Sequence, residues 1–324
     1  MTAISLDDLH RLRRCLPELT FDPARDRAAR ECPGFLPYLE FYGIDYADAL
    51  PGVFHGMGCL EAGSYRIAGH YWLPEGEARG TVMVVHGYFD HVGLYRHLIR
   101  YLLERGYAVV AFDLPGHGLS TGERAAIESF DHYQDVLDAF LPEVRRCLPG
   151  PVSAVGQSTG GAILLKRLFE EGGTEFDRVV LLAPLVEPRL WWFNRFVYFL
   201  VHRFRDAVPR KFLANSGDDE FTNFLVDKDP LQSRQMPLLW IGAMKAWVDE
   251  FKAMPPCDHP VTILQGDDDD TLAWRYNLRQ LRRKFPNSRI RLIEGAGHHL
   301  VNERRELRQS IFDAMGFTAP DRLH

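Results

Sequence analysis

The stretch VSAVGQSTGG, residues 152–161, predicts a buried strand that turns directly into a helix. Val152–Val155 is a short apolar run, and Gly156, Ser158 and Gly160 form a G-x-S-x-G pattern at the start of a helix predicted over 158–171. The two glycines permit a tight turn that exposes the serine hydroxyl, and the positive end of the helix dipole points at it. Ser158 is therefore the candidate nucleophile.

Strands and helices alternate along the chain on both sides of this turn. Segments typical of strands recur at 81–86, 108–113, 178–182, 261–265 and 289–293, and the first of them is a continuous apolar run. Most of them are separated by helical patterns, and such alternation predicts a mostly parallel, doubly wound α/β sheet with helices on both faces. Two earlier runs, 53–60 and 65–73, predict a hairpin around Gly63.

The alternation stops for about 70 residues after Pro184, which divides the chain into three predicted parts. Residues 1–52 are predicted to form a polar, helical N-terminal extension. Residues 53–184 and 259–324 form the α/β core. Residues 185–258, helical and rich in aromatic side chains, are predicted to be a lid placed over the sheet.

Composition narrows the class of protein. The 324 residues carry a formal net charge of −6, which makes nucleic-acid binding an unlikely role because that function needs a cationic surface. Five scattered cysteines without a C-x-x-C pair predict neither a disulfide framework nor a zinc site, and they favour a reducing compartment. The polar N-terminus and the lack of about 18 consecutive apolar residues predict a cytoplasmic protein.

A serine nucleophile needs a base, an anion that orients the base, and donors for the oxyanion. Two histidines, His298 and His299, follow the last strand, and His298 is favoured because it comes directly after a glycine-rich loop. Four consecutive acids, residues 267–270, follow the preceding strand, and one of them should face the histidine. Consecutive carboxylates point apart, so this run does not predict a metal site.

Backbone N–H groups supply the predicted oxyanion hole. Thr159, at the start of the helix after Ser158, offers one donor, and Tyr88, in the loop after the 81–86 strand, offers the other. Gly87 lets this loop approach the substrate, whereas His86 is read as structural. This acyl-transfer chemistry needs no cofactor and no metal.

The motifs as a set resemble the α/β-hydrolase superfamily, and within it the monoglyceride lipase and lysophospholipase group, also described as serine aminopeptidase-like. The resemblance covers about residues 55–316 and rests on VMVVHGYFDH (82–91), FDLPGHGLSTG (112–122), GQSTGG (156–161), DPL (229–231), LQGDDDDTLAWRYN (264–277) and IEGAGHHLVNE (293–303). It implies that Asp269 is the acid, that His298 is the base, and that Gly87 and Tyr88 form the oxyanion loop.

The sequence of the predicted lid indicates the class of substrate. Trp191, Trp192, Phe196 and Phe199, with interleaved arginines, predict either an acyl-chain site and a face that contacts a membrane surface, or the packing between lid and sheet. The expected substrates are acyl esters of monoacyl lipids, as for a monoacylglycerol lipase, lysophospholipase or carboxylesterase.

Three alternatives stay open: a peptidase, a thioesterase and a non-catalytic binding protein. The lid contains acidic residues, Asp218 and Asp229 among them. They leave an aminopeptidase possible, because such an enzyme needs a carboxylate to hold the free amine of its substrate. Most of them read as solvated helix ends and caps. The sequence does not define the oligomeric state.

Overall fold

The computed structural model describes residues 4–212 and 215–318 and contains one large sheet. The strands are β1 (Phe54–Ala62), β2 (Tyr65–Leu73), β3 (Thr81–Val85), β4 (Ala108–Phe112), β5 (Val152–Gln157), β6 (Val179–Leu182), β7 (Ala207–Pro209), β8 (Gln235–Pro237), β9 (Val261–Gly266) and β10 (Arg289–Ile293). Eight of them pair in the order β1-β2-β4-β3-β5-β6-β9-β10, and only the pairs β1–β2 and β2–β4 are antiparallel. The predicted α/β sheet is confirmed.

Helices cover both faces of this sheet. They are α1 (Leu6–Cys15), α2 (Pro23–Asp26), α3 (Phe35–Tyr42), α4 (Arg96–Leu103), α5 (Asp131–Cys147), α6 (Thr159–Glu171), α7 (Trp191–Val201), α8 (Asp219–Asp227), α9 (Leu238–Ala253), α10 (Trp274–Lys284) and α11 (Arg305–Ala314). Successive side chains of a strand point to opposite faces. In β3, Val82 and Val84 accordingly pack in the core with α3, α4 and α11, whereas Met83 and Val85 pack in the core with α5, α6 and α9.

Two predicted segments differ from the structure. The inserted segment, residues 185–258, is not purely helical, because β7 and β8 pair as a short antiparallel ribbon. The sequence also predicts a final helix over about 301–315, whereas residues 300–302 form a 3₁₀ turn and α11 begins at Arg305.

The N-terminal segment, residues 4–52, packs against the sheet. Leu9, Leu12 and Phe35 are buried in the same core as β3. Cys15 and Cys32 form a disulfide, so the prediction of unpaired cysteines is wrong for this pair. The fold brings their Cα atoms to 5.6 Å of each other, a proximity that their separation of 17 positions does not reveal.

Among the described residues, no helix has both the length and the apolar character that a membrane crossing requires.

Candidate active site

Ser158 lies on a strained turn between β5 and α6, with φ 53° and ψ −111°. Its N–H donates to the carbonyl oxygen of Leu182 at 2.8 Å, which holds the turn against the neighbouring strand end. A Cβ at Gly156 would lie 2.6 Å from the backbone of Gly160, and a Cβ at Gly160 would lie 2.1 Å from the carbonyl oxygen of Val85. Only glycine therefore allows the close approach that exposes the serine hydroxyl.

His298 joins Ser158 to Asp269. Its Nε2 lies 2.9 Å from Ser158 Oγ, and its Nδ1 lies 2.8 Å from Asp269 Oδ2. The three side chains come from three different loops at the carboxyl ends of β5, β9 and β10. This arrangement allows an imidazole to take the serine proton while a carboxylate fixes its orientation.

The Asp269 carboxylate is held by further donors. Oδ1 accepts the N–H groups of Thr271 at 2.8 Å and Leu272 at 3.0 Å, and Oδ2 accepts the side-chain amide of Gln265 at 2.9 Å. Burial on its own raises the pKa of this carboxyl, but His298 and these donors outweigh burial, so the pKa of Asp269 is lowered. Asp269 is therefore ionised, as an orienting anion must be.

The other three acids of the 267–270 run point elsewhere. Asp267 accepts the N–H of Gly295, Asp268 is exposed, and Asp270 pairs with Arg189 at 2.7 Å. Of the four carboxylates, Asp269 is the one that contacts His298.

The predicted oxyanion donors lie beside the serine. A Cβ built on Gly87 would lie 3.4 Å from Ser158 Cβ, so the loop after β3 passes close to the nucleophile. Neither the Tyr88 N–H nor the Thr159 N–H has an acceptor among the described residues. The Tyr88 ring stacks on Trp240 with centroids 3.6 Å apart, and its hydroxyl donates to the carbonyl oxygen of Ala125. Since neither backbone N–H is occupied within the described residues, both are available to a substrate oxygen.

A second hydrogen-bond network lies behind this loop, and the sequence reasoning missed it. The Gly87 N–H donates to the Tyr95 hydroxyl at 2.9 Å, and that hydroxyl donates to Asp90 Oδ2 at 2.9 Å. His299, the alternative candidate base, instead contacts Asp90 through Nε2 at 3.0 Å. The sequence contains one signal for this network. Asp90, in the HGYFDH motif, is polar yet follows closely on a buried strand.

Two further residues near the active site belong to the motifs quoted above, but the sequence analysis assigned them no role. Gln157, in GQSTGG, donates its side-chain amide to the carbonyl oxygen of His298 at 2.9 Å. Asp229, in DPL, is 5% exposed and lies 2.9 Å from His91 Nε2. The expectation that lid acids are solvated caps is therefore wrong for Asp229, whereas Asp218 does cap α8.

A cavity of about 390 Å³ opens above Ser158. Its wall is mostly apolar and comes largely from the inserted segment, with Val197, Val201, Met236, Leu238 and Met244 among the lining side chains. This volume lies in the usual range for small-molecule sites, so the site suits a substrate with an apolar portion.

The four aromatic residues predicted to bind substrate do not line this cavity. Trp191 is buried in the core, and Trp192, Phe196 and Phe199 are 74%, 58% and 65% exposed. The helical period places Val197 and Val201 of α7 on the cavity side and these three on the opposite side. The assignment of these four residues as substrate-binding is therefore corrected, whereas Gly87 does line the cavity.

Three carboxylates outside the active site approach one another closely enough to suggest a cation, namely those of Asp131, Glu170 and Glu250. The ammonium of Lys166 contacts all three, at 2.9, 2.8 and 2.5 Å. Lysine already supplies the positive charge there, so the cluster is an ion-pair network.

Comparison with known proteins agrees with the fold. A family model described as serine aminopeptidase, S33, matches residues 76–305. The chain is 34% identical to the monoglyceride lipase of Rattus norvegicus over 251 residues, which cover 74% of this chain and 82% of the relative. It is 32% identical to phospholipase YtpA of Bacillus subtilis over 246 residues, which cover 72% of this chain and 92% of the relative.

A solved structure also matches this chain in fold. The crystal structure of a soluble variant of monoglyceride lipase from Saccharomyces cerevisiae, in complex with a substrate analogue, matches with a TM-score of 0.68 at 19% identity. The match covers 79% of this chain and 92% of that one. The fold and these matches define a serine hydrolase of the α/β-hydrolase class. Within that class, the chain belongs to the serine aminopeptidase, S33, family.

Proposed function

We propose that the protein hydrolyses carboxylic esters of monoacyl lipids, with Ser158 as nucleophile, His298 as general base and acid, and Asp269 as the orienting anion. One observation carries the proposal: Ser158 Oγ, His298 and Asp269 are linked at 2.9 and 2.8 Å at the floor of an apolar cavity.

The geometry supports the following reaction. Ser158 Oγ attacks the ester carbonyl carbon while its proton passes to His298 Nε2, and the Tyr88 and Thr159 N–H groups stabilise the negative carbonyl oxygen. The C–O bond then breaks, and the proton on His298 passes to the leaving alcohol. Water, deprotonated by His298, cleaves the acyl-enzyme and releases the fatty acid and Ser158.

The cavity supports an acyl ester over an amino-terminal peptide. An aminopeptidase needs a carboxylate that is free to bind an ammonium group. Asp90 is the one acidic residue among the described residues that line the cavity, and its oxygens already contact Tyr95 and His299. Known relatives include a monoglyceride lipase and a phospholipase, which act on esters.

Arg210 supports lysophospholipids as a second substrate class. It lines the same cavity, where its guanidinium lies 3.9 Å from the centroid of the Phe89 ring and donates to Gln232 at 2.7 Å. Burial lowers the pKa of Arg210 to about 10, which still leaves it charged near neutral pH. A phosphate headgroup would complement this cation.

We further propose that residues 185–258 act as a lid over the core and that the outer face of α7 contacts a membrane surface. Trp192, Phe196 and Phe199 on this face are exposed next to Arg195, a combination typical of interfacial helices.

The cytoplasmic location stays a prediction. The Cys15–Cys32 disulfide argues against it, because disulfides persist in less reducing compartments.

A substrate panel tests the proposal. Purified protein is assayed with monoacylglycerols and lysophospholipids of increasing chain length, acyl thioesters and amino-acid amides, with Ser158→Ala as the matched control. We expect turnover of the long-chain esters to exceed that of the amides and to be lost in Ser158→Ala. Turnover that survives in Ser158→Ala, or a preference for amino-acid amides, would overturn the proposal.

A further inference from the structure

The N-terminal segment reaches the back of the active site through α3. The family model begins to match at residue 76, so this segment lies outside the matched region. Tyr42, the last residue of α3, is 2% exposed, and its hydroxyl donates to Asp229 Oδ1 at 2.8 Å. A residue of the N-terminal segment thus hydrogen-bonds to a residue of the inserted segment, 187 positions away.

Asp229 in turn holds His91. The Nε2 of His91 lies 2.9 Å from Asp229 Oδ2, and both side chains are fully buried. Gln232 also donates to Oδ2, at 2.8 Å, and the Leu231 N–H donates to Oδ1 at 3.0 Å. Among the described residues, the Tyr42 hydroxyl is the side-chain donor on Oδ1, and it restrains the rotation of a fully buried carboxylate.

His91 is the last residue of the loop that carries the oxyanion donor. That loop is fixed near its start by the bond from the Gly87 N–H to Tyr95, and at its end by the bond from His91 to Asp229. Tyr88 lies between these two points. Since an oxyanion donor acts only when it is aimed at the developing charge, both attachments bear on the chemistry.

Ring packing supports the same connection. The Tyr42 and His91 rings meet edge to face with centroids 4.8 Å apart. A Cβ built on Gly93 would lie 2.5 Å from the Tyr42 ring, so this side chain packs directly on the backbone that follows the loop. Tyr42 thus contacts the loop by packing and, through Asp229, by hydrogen bonding.

We propose that Tyr42 is a positioning residue for the oxyanion loop, so that the N-terminal segment completes the active site. Without the hydroxyl, the Leu231 N–H is the one donor to Asp229 Oδ1 that remains in the described part of the chain, and a buried carboxylate that loses a donor shifts or is destabilised. The effect then passes through His91 to the Tyr88 N–H. This inference rests on the proposed function, because it assigns the role by the oxyanion of ester hydrolysis.

The test compares Tyr42→Phe with Tyr46→Phe in the full chain. Tyr46 is a matched control: it follows α3 in the same segment, it is 5% exposed, and its hydroxyl donates at 2.8 Å to a backbone carbonyl oxygen, that of Arg96. We measure kcat and KM for a p-nitrophenyl ester, inhibition by a trifluoromethyl ketone, which forms an oxyanion on binding, and the melting temperature.

We expect Tyr42→Phe to lower kcat roughly 3- to 30-fold and to weaken trifluoromethyl ketone inhibition by a similar factor. KM should stay within about 2-fold of wild type, and Tyr46→Phe should match wild type in kcat and inhibition. In an Asp229→Asn background, Tyr42→Phe should add little, because both changes act on the same link.

Several outcomes would overturn the inference. Equal kcat and equal inhibition in the two Tyr→Phe variants would do so, as would a Tyr42→Phe effect of full size in the Asp229→Asn background. If Tyr42→Phe failed to fold, Asp229→Asn alone would decide, with an unchanged kcat and inhibition counting against it. Failure of the proposed function looks different, because Ser158→Ala would then turn over ester as fast as wild type.

Discussion

Asp269 differs from the three acids beside it in what its oxygens accept. Oδ2 faces His298 and Gln265, while Oδ1 accepts two backbone N–H groups that close the turn after β9. Asp268, its immediate neighbour, is exposed. These two residues therefore provide a matched pair for a test of the acid.

Asp269→Asn should lower kcat for ester hydrolysis by about 10²- to 10⁴-fold, because an amide cannot hold the imidazole in the required tautomer or stabilise its cation. Asp268→Asn should retain wild-type kcat. Steady-state kinetics of the two purified variants provide the measurement, and comparable kcat values in both would contradict the assignment of Asp269.

At the scale of single residues, the sequence predicted the residues that lie in motifs but not the buried residues that contact them. Ser158 and His298 could be placed because a strand end and a glycine pattern fix where they sit. The four acids could not be separated by residue type, and the family resemblance implied Asp269. The contacts from Tyr95 to Gly87 and from Tyr42 to Asp229 depend on packing between distant segments, which no local pattern encodes.

At the scale of the elements, α7 has two faces with different surroundings. Val197 and Val201 line the cavity, whereas Phe196 and Phe199 are exposed on the other side. The sequence predicted an aromatic helix here, but aromatic residues occur along most of its length. Which side faces the cavity is set by how the inserted segment docks on the core.

Replacing both Phe196 and Phe199 with serine should weaken binding to phospholipid vesicles roughly 10-fold or more, because two large apolar side chains no longer enter the interface. Hydrolysis of a soluble p-nitrophenyl ester should stay near wild type, since neither residue lines the cavity.

Vesicle sedimentation measures the binding. Leu292→Ser serves as the control, because Leu292 is 50% exposed but lies on β10 at the sheet edge. Equal loss of vesicle binding in this control and in the double variant, or no loss in either, would argue against membrane contact through α7.

The strands were the most predictable elements. The sequence predicts the bounds of β9 and β10 to within a residue. β9 is buried along most of its length, as expected of a strand covered on both faces, whereas β10, at the sheet edge, is mostly exposed. The ribbon of β7 and β8 was not predicted. Its strands are three residues long, too short for an alternating pattern to be visible.

At the scale of the whole molecule, the N-terminal segment is part of the folded protein. It packs in the core beside the sheet, and the Cys15–Cys32 disulfide closes a short loop within it. The sequence did not predict this packing, because the partners of Leu12 and Tyr42 lie far away along the chain. Neither the polar composition of the segment nor the spacing of its cysteines indicates them.

Loss of the disulfide should therefore destabilise the protein without changing its chemistry. For the double variant Cys15→Ala, Cys32→Ala we expect the free energy of unfolding to fall by about 3 kcal/mol, as for other loops of this length, with kcat unchanged. Urea unfolding measures the loss, and Cys147→Ala is the control because Cys147 is a free cysteine. The same stability in both variants would show that the bond contributes nothing.

The central claim is that acyl transfer passes through Ser158. The most direct measurement is a rapid quench of the protein with a slowly deacylated ester, followed by mass spectrometry of the peptides. The account predicts a stoichiometric acyl group on Ser158, formed in wild type and absent in Ser158→Ala. An acyl group on another residue, or rapid turnover with no acyl-enzyme and no dependence on Ser158, would contradict it.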